Sequence, residues 1–105
     1  MIENIPASIW TKQDLSEYQI FDVRTPAEWE EDGILDGAIC VAMHDNRGIL
    51  NADFIKDLKP LLPKDDKKIA FICHSGHRSR FACELLLQEL GIASVNLDGG
   101  MQALN

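Results

Sequence analysis

Residues 68–79 read Lys68-Ile69-Ala70-Phe71-Ile72-Cys73-His74-Ser75-Gly76-His77-Arg78-Ser79. After its lysine the stretch is a continuous apolar run of strand length, the pattern of a strand buried on both faces. The composition then changes abruptly to a short polar loop holding a cysteine, two histidines, a glycine and an arginine. The longest helical pattern of the chain begins at residues 76–78 and runs to Leu90, with Gly91 as its stop. Ala82, Cys83, Leu86 and Leu90 recur at helical spacing on its apolar side, and Arg80, Glu84 and Gln88 form the wet side.

Outward from this segment, Gln19-Ile20-Phe21-Asp22-Val23 is a second apolar run, and Ser94-Val95-Asn96-Leu97 a shorter, alternating one. Weaker strand patterns lie near Ser8-Ile9 and at Ala38-Ile39-Cys40-Val41. Thr25-Pro26-Ala27-Glu28 carries an N-cap threonine, proline at the first helical position and glutamate at the capping-box position, and Gly33 ends that short helix. Asn51 is placed to cap a helix through Asp53, Phe54, Ile55 and Leu58 that stops near Pro60 and Pro63. Strands separated by helices of this length pair in parallel, which makes an α/β layered fold. Ligands in such sheets bind at the C-terminal ends of the strands, where residues 73–79 lie.

The 105 residues suit one domain, residues 1–105, with no internal repeat, low-complexity tract or linker. Hydrophobic residues make up 46% and charged residues 26%, the balance of a soluble globular protein. No apolar run approaches the roughly 20 residues of a membrane helix. The first eight residues resemble no signal peptide, so the expectation is a cytoplasmic protein without a membrane partner. The net charge of −7 would repel a phosphate backbone, which argues against nucleic acid as a partner. Against that background the positive residues of positions 74–80 stand out. Three cysteines (Cys40, Cys73 and Cys83) without paired spacing argue against a disulfide framework and fit a reducing compartment.

Cys73, at a strand end before a helix N-terminus, meets unpaired backbone N–H groups and the positive end of the helix dipole. Arg78 adds a full charge, and His74 and His77 add more when protonated. These groups favour thiolate, the nucleophilic form, while Gly76 permits the tight turn an anion-holding loop needs. The plainer alternative is that Cys73 is the last apolar residue of a strand, since most free cysteines are small core hydrophobes. A metal site is a further alternative, Cys73, His74 and His77 all being ligand types. Structural zinc takes four ligands, commonly in paired spacings, and only the lone His44 lies elsewhere, so no metal or other cofactor is expected. A thioredoxin-like role lacks its second cysteine.

Four blocks of the chain together resemble the rhodanese family. Asp22-Val23-Arg24-Thr25-Pro26-Ala27-Glu28-Trp29 is similar to the family's acidic-apolar-Arg element, and Gly33-Ile34-Leu35-Asp36-Gly37-Ala38 to its Gly-His-Ile-Pro-Gly-Ala element. Residues 73–78 resemble its active-site loop, and Leu97-Asp98-Gly99-Gly100 its double-glycine turn. The resemblance implies a doubly wound fold, a five-stranded parallel sheet with helices on both faces. It also implies that Cys73 accepts sulfane sulfur as a persulfide, cradled by the backbone of His74, Ser75, Gly76, His77, Arg78 and Ser79, with Arg78 orienting the loop and helping to bind an anionic donor. Asp22 and Arg24 would support the site. The partners implied are a small anionic sulfur donor such as thiosulfate and an acceptor that is cyanide, a thiol or a protein.

The same resemblance separates two chemistries by loop length. Arg78 lies five positions after Cys73, the spacing of the sulfur-transferring members, whereas the related phosphatases and arsenate reductases have one more residue. A persulfide carrier serving a protein acceptor, or a non-enzymatic interaction module, would use the same fold. The chain departs from the family pattern at Ile34 (usually histidine), Asp36 (usually proline) and Leu104 (commonly aromatic), positions that touch packing rather than the loop.

For the remaining polar residues a structural reading competes with a functional one. Arg24 and Glu28 are expected to pair with each other at the helix start, the alternative being that they face the loop. Asp22 is expected to brace backbone groups. His74 and His77 either tune the thiolate or contact substrate, or are solvated. His44, Asp45, Asn46 and Arg47 read as a surface connection, with a place on the site rim as the lesser alternative, Glu28, Glu30, Glu31 and Asp32 as a solvated helix face, and Cys83 and Cys40 as core, a resolving role for Cys40 being the lesser alternative.

Overall fold

A computed structural model describes residues 2–104. Strand β1 spans Glu3–Ile5, β2 Tyr18–Asp22, β3 Ala38–Cys40, β4 Lys68–Ile72 and β5 Val95–Leu97. Helix α1 spans Ala7–Trp10, α2 Pro26–Asp32, α3 Phe54–Leu58 and α4 His77–Leu90; single 3-10 turns occupy Lys59–Leu61 and Met101–Leu104. Among the described residues, the five strands form one parallel sheet in the order β1-β5-β4-β2-β3. This is the α/β architecture expected from strands alternating with helices.

The most apolar strands occupy the middle of the sheet because only there are both faces covered. β4 lies between β5 and β2, with Ile20 opposite Ala70 and Phe21 opposite Phe71. Alternate residues serve opposite layers. Phe21, Val23, Ile69, Phe71 and Cys73 pack with Phe54 and Leu58 of α3 and with Ala82, Cys83 and Leu86 of α4. The rings of Phe21 and Phe54 approach that of Phe71, centroids 5.8 and 6.4 Å away. On the other face Ile20, Ala70, Ile72, Val95 and Leu97 pack with Ile5 and with Trp10 of α1. Each large side chain buried in this way contributes about 1.5–3 kcal/mol.

Helix boundaries follow their caps. Thr25 accepts from Glu28 N with its side chain while the Glu28 carboxylate accepts from Thr25 N, so the capping box closes as expected, and Gly33 ends α2. Gly91, in the left-handed region, ends α4. Ser8 and Ile9 are helical rather than extended, and the first strand lies earlier, at Glu3–Ile5. The reason is Pro6, whose carbonyl accepts from Ile9 N and Trp10 N and starts a turn. Asn51 does not cap α3, which starts at Phe54 after Asp53; Asn51 Oδ1 accepts from Asp53 N and forms the turn before the helix.

Candidate active site

The loop after β4 leaves the sheet between β2 and β5 and enters α4 at His77 through Gly76, which adopts φ 109°. Only glycine takes that conformation without strain. A Cβ there would also lie 2.7 Å from Asp98 Oδ1 and 3.1 Å from Gly99 N. The sharp turn folds the loop back over its first residue, so that Gly76 N–H donates to Cys73 Sγ at 3.1 Å. Ser79, on the buried side of the first turn of α4, places its Oγ 3.3 Å from the same sulfur. Cys73 is 1% exposed, so its sulfur sits at the base of the loop and not on its rim.

The carbonyls of the loop are drawn the other way. Met101 N–H donates to Cys73 O at 2.8 Å and Gln102 N–H to His74 O at 3.0 Å. The double-glycine turn that leads into these donors abuts the loop so closely that a Cβ on Gly100 would collide with both carbonyls. Trp10 Nε1 ties the turn down by donating to Asp98 O at 2.8 Å. With the carbonyls of Cys73 and His74 bonded to the C-terminal segment, Gly76 N–H is directed at the sulfur, near the N-terminus of α4 with its partial positive charge.

Arg78 reaches across to α2. Its Nη1 and Nη2 donate to Glu28 Oε1 and Oε2 at 2.7 and 2.8 Å, a two-pronged bond that clamps α4 to α2. The guanidinium holds the Glu28 carboxyl down at about 2, and Glu28 in turn raises Arg78 further above its ordinary value. The expected Arg24–Glu28 pair does not exist. Arg24 is fully buried and grips Asp22 instead, with Nη2 to Oδ2 at 2.7 Å and Nε to Oδ1 at 3.0 Å. The same guanidinium donates to Gly33 O at 2.6 Å, so it braces the end of α2 while Thr25 and Glu28 organise the start. Asp22 also accepts from Arg24 N, the backbone bracing expected of it.

His74 and His77 are exposed, and His77 Nδ1 lies 3.0 Å from Ser75 Oγ, closing the outer rim of the loop. In the polar loop, Asn46 accepts from Ala27 N at 3.0 Å and so serves the first turn of α2, which a plain surface connection would not do. Cys83 is core, and burial pushes its thiol up to about 11. Cys40 is only half-buried at the sheet edge; burial and the adjacent Asp22 push its thiol up. All three cysteines are free. Among the described residues no cluster of His, Cys, Asp and Glu is placed to hold a metal ion, and no helix is long and apolar enough to cross a membrane.

Three contacts of the site are not marked by local spacing. Glu28 and Arg78 are fifty positions apart, and nothing local marks them as partners. Gly100 belongs to a recognisable turn whose contact with the loop is purely tertiary. Asn96 carried a signal, a carboxamide inside an otherwise apolar strand; it is 1% exposed and bonded to both Ser79 and Gly76.

The family described as "Rhodanese-like domain" matches residues 6–105. A Bacillus subtilis protein named "Putative sulfurtransferase YtwF" is 36% identical over 87 residues, covering 83% of this chain and 73% of that one. A Staphylococcus saprophyticus crystal structure superposes with a TM-score of 0.76 at 28% identity, covering 99% of this chain and 94% of the other. A rhodanese-like domain protein from Staphylococcus aureus gives 0.70 at 27% identity, covering 99% and 92%.

Proposed function

The chain belongs to the rhodanese-like family, and from that premise we propose that it is a sulfurtransferase in which Cys73 carries the transferred sulfur as a persulfide. The observation that carries the reading is the sulfur of Cys73 at the base of a loop whose Gly76 N–H points at it while the carbonyls of Cys73 and His74 are bonded behind. The Bacillus relative's name supports the same class of reaction.

In the first step the Cys73 thiolate attacks the outer sulfur of a donor such as thiosulfate. A Cys73–sulfur bond forms, the sulfur–sulfur bond of the donor breaks, and sulfite leaves with the bonding electron pair. In the second, cyanide, a thiol or a protein cysteine attacks the outer sulfur of the persulfide and the Cys73 thiolate leaves. No metal or cofactor enters either step. Because the outer nitrogens of Arg78 are engaged by Glu28, the anionic outer sulfur is held chiefly by loop N–H groups and the end of α4, and Arg78 acts mainly by fixing the loop.

Thiosulfate and cyanide are the test pair. The expected result is thiocyanate formation with ping-pong kinetics, lost in Cys73→Ser and retained in Cys40→Ser. Turnover that survives Cys73→Ser contradicts the reading. Slow turnover with cyanide but fast transfer to a protein thiol would assign the carrier role within it.

A further inference from the structure

Asn96 sits in the middle of β5 with its side chain sealed from solvent, and its orientation is fixed by its partners. Gly76 O, a backbone carbonyl that can only accept, lies 3.1 Å from Asn96 Nδ2, and Asn4 Oδ1 takes the other amide hydrogen at 2.9 Å. Asn96 Oδ1 therefore faces Ser79 Oγ, at 2.5 Å. An amide oxygen is an acceptor only, so it claims the single hydroxyl hydrogen of Ser79. That leaves Ser79 Oγ, 3.3 Å from Cys73 Sγ, with lone pairs but no hydrogen to offer the sulfur.

A thiol satisfies this arrangement completely. Cys73 S–H donates to Ser79 Oγ, Ser79 O–H to Asn96 Oδ1, Asn96 N–H to Gly76 O, and Gly76 N–H returns to Sγ at 3.1 Å. The chain returns to the sulfur through Gly76, and the bonds running from the thiol through Ser79 to Asn96 polarise one another. A thiolate breaks it. When the sulfur's proton leaves to water, Sγ meets a lone pair on Ser79 unless the hydroxyl turns, and turning strips a buried amide oxygen of its donor.

We propose that Asn96 is a positioning residue which, by holding the hydroxyl hydrogen of Ser79, favours the thiol form of uncharged Cys73 and sets how readily that sulfur ionises. This rests on Cys73 being the reactive sulfur. The loop N–H groups act toward the anion, and the Ser79–Asn96 pair acts against it.

A double-mutant cycle separates this role from packing. Alkylation of Cys73 by iodoacetamide is followed by peptide mass across pH in the wild type, Asn96→Ala, Ser79→Ala and the double variant. The charged groups around the loop are unaltered in all four: Asp22 at the end of β2 and Arg24 just after it, Glu28 of α2, His74, His77 and Arg78 of the loop and its helix, and Asp98 beside Gly76. In Asn96→Ala the freed hydroxyl donates to the sulfur, so the alkylation midpoint moves to lower pH and the rate below it rises about tenfold. Without the hydroxyl, in the Ser79→Ala background, Asn96→Ala changes the rate less than about twofold, and Ser79→Thr, which keeps the hydroxyl, restores the larger effect. Equal effects of Asn96→Ala with and without the hydroxyl overturn the proposal.

If Asn96→Ala does not fold, NMR of the unmutated protein decides. The side-chain carbonyl carbon of Asn96 is expected to shift with the same pH midpoint as Cys73 alkylation, and a resonance that ignores the ionisation overturns the proposal. Alkylation needs no sulfur donor. A chain that shows the coupling but takes no sulfur from thiosulfate overturns the functional reading and leaves the network standing.

Discussion

A Cβ added at Gly100 would collide with the carbonyl oxygens of Cys73 and His74, and the residue's φ of 59° is itself unfavourable for any other side chain. Neither carbonyl can retreat, because each is bonded to the same C-terminal turn. Gly100→Ala is therefore expected to lose about 2–4 kcal/mol in denaturant unfolding and to lower sulfur transfer further by moving the loop. Gly91 has a similar φ of 68° but open space around its Cα. Gly91→Ala should cost only the left-handed penalty, about 1–2 kcal/mol, with transfer unchanged. Equal losses at the two positions would mean that contact with the loop is irrelevant. The cysteines divide in the same local way. Burial that pushes the Cys83 thiol up to about 11 leaves it unlabelled by iodoacetamide in the folded protein at neutral pH, which peptide mass mapping checks.

At the scale of elements, the loop's position depends on α2 and α4 being clamped by Glu28 and Arg78. The Glu28 carboxyl lies at about 2 in the folded chain against an ordinary 4.5. A carboxyl depressed on folding stabilises wherever the unfolded chain would also be ionised. Its contribution is complete above about pH 4.5 and is lost as pH falls through about 2. The pair is partly exposed, which reduces the contribution to on the order of 2 kcal/mol. Glu28→Gln should remove it at pH 7 and flatten the acid limb of the stability curve between those values, as urea titrations at several pH values would show. An acid limb unchanged by the substitution would place the acid sensitivity elsewhere. The start of α2 was legible because a capping box is local: Thr25 and Glu28 are three positions apart. The clamp was not, because both carboxylate oxygens have capacity beyond the cap, and only the fold decides which cation fills it. The Arg24–Glu28 pair expected at the helix start fails for the same reason: Glu28 is taken by Arg78, and Arg24 turns back to Asp22, two positions away, and to the end of α2.

In the whole molecule, two apolar layers on a parallel sheet enclose, among the described residues, the Ser79–Asn96 pair and a polar seam at the C-terminal end of β2. The seam is closed by Arg24 and Asp22, both fully buried. Arg24→Met leaves the Asp22 carboxylate without its cation in that interior and is expected to cost about 3–5 kcal/mol, a loss visible as a lowered thermal midpoint; a change below about 1 kcal/mol would show that the seam is wet. The central strands were readable from their unbroken apolar runs, and the candidate site is proposed from its place at the end of one of them. The edge strand β1 was not, since Glu3 and Asn4 are exposed and only Ile5 faces the core. Whether the buried sulfur of Cys73 takes up a single sulfur atom is read from intact mass after incubation with thiosulfate. The expected result is a gain of one sulfur atom by the wild type, reversed by cyanide or a thiol and absent from Cys73→Ser; a folded wild type whose mass does not change contradicts it.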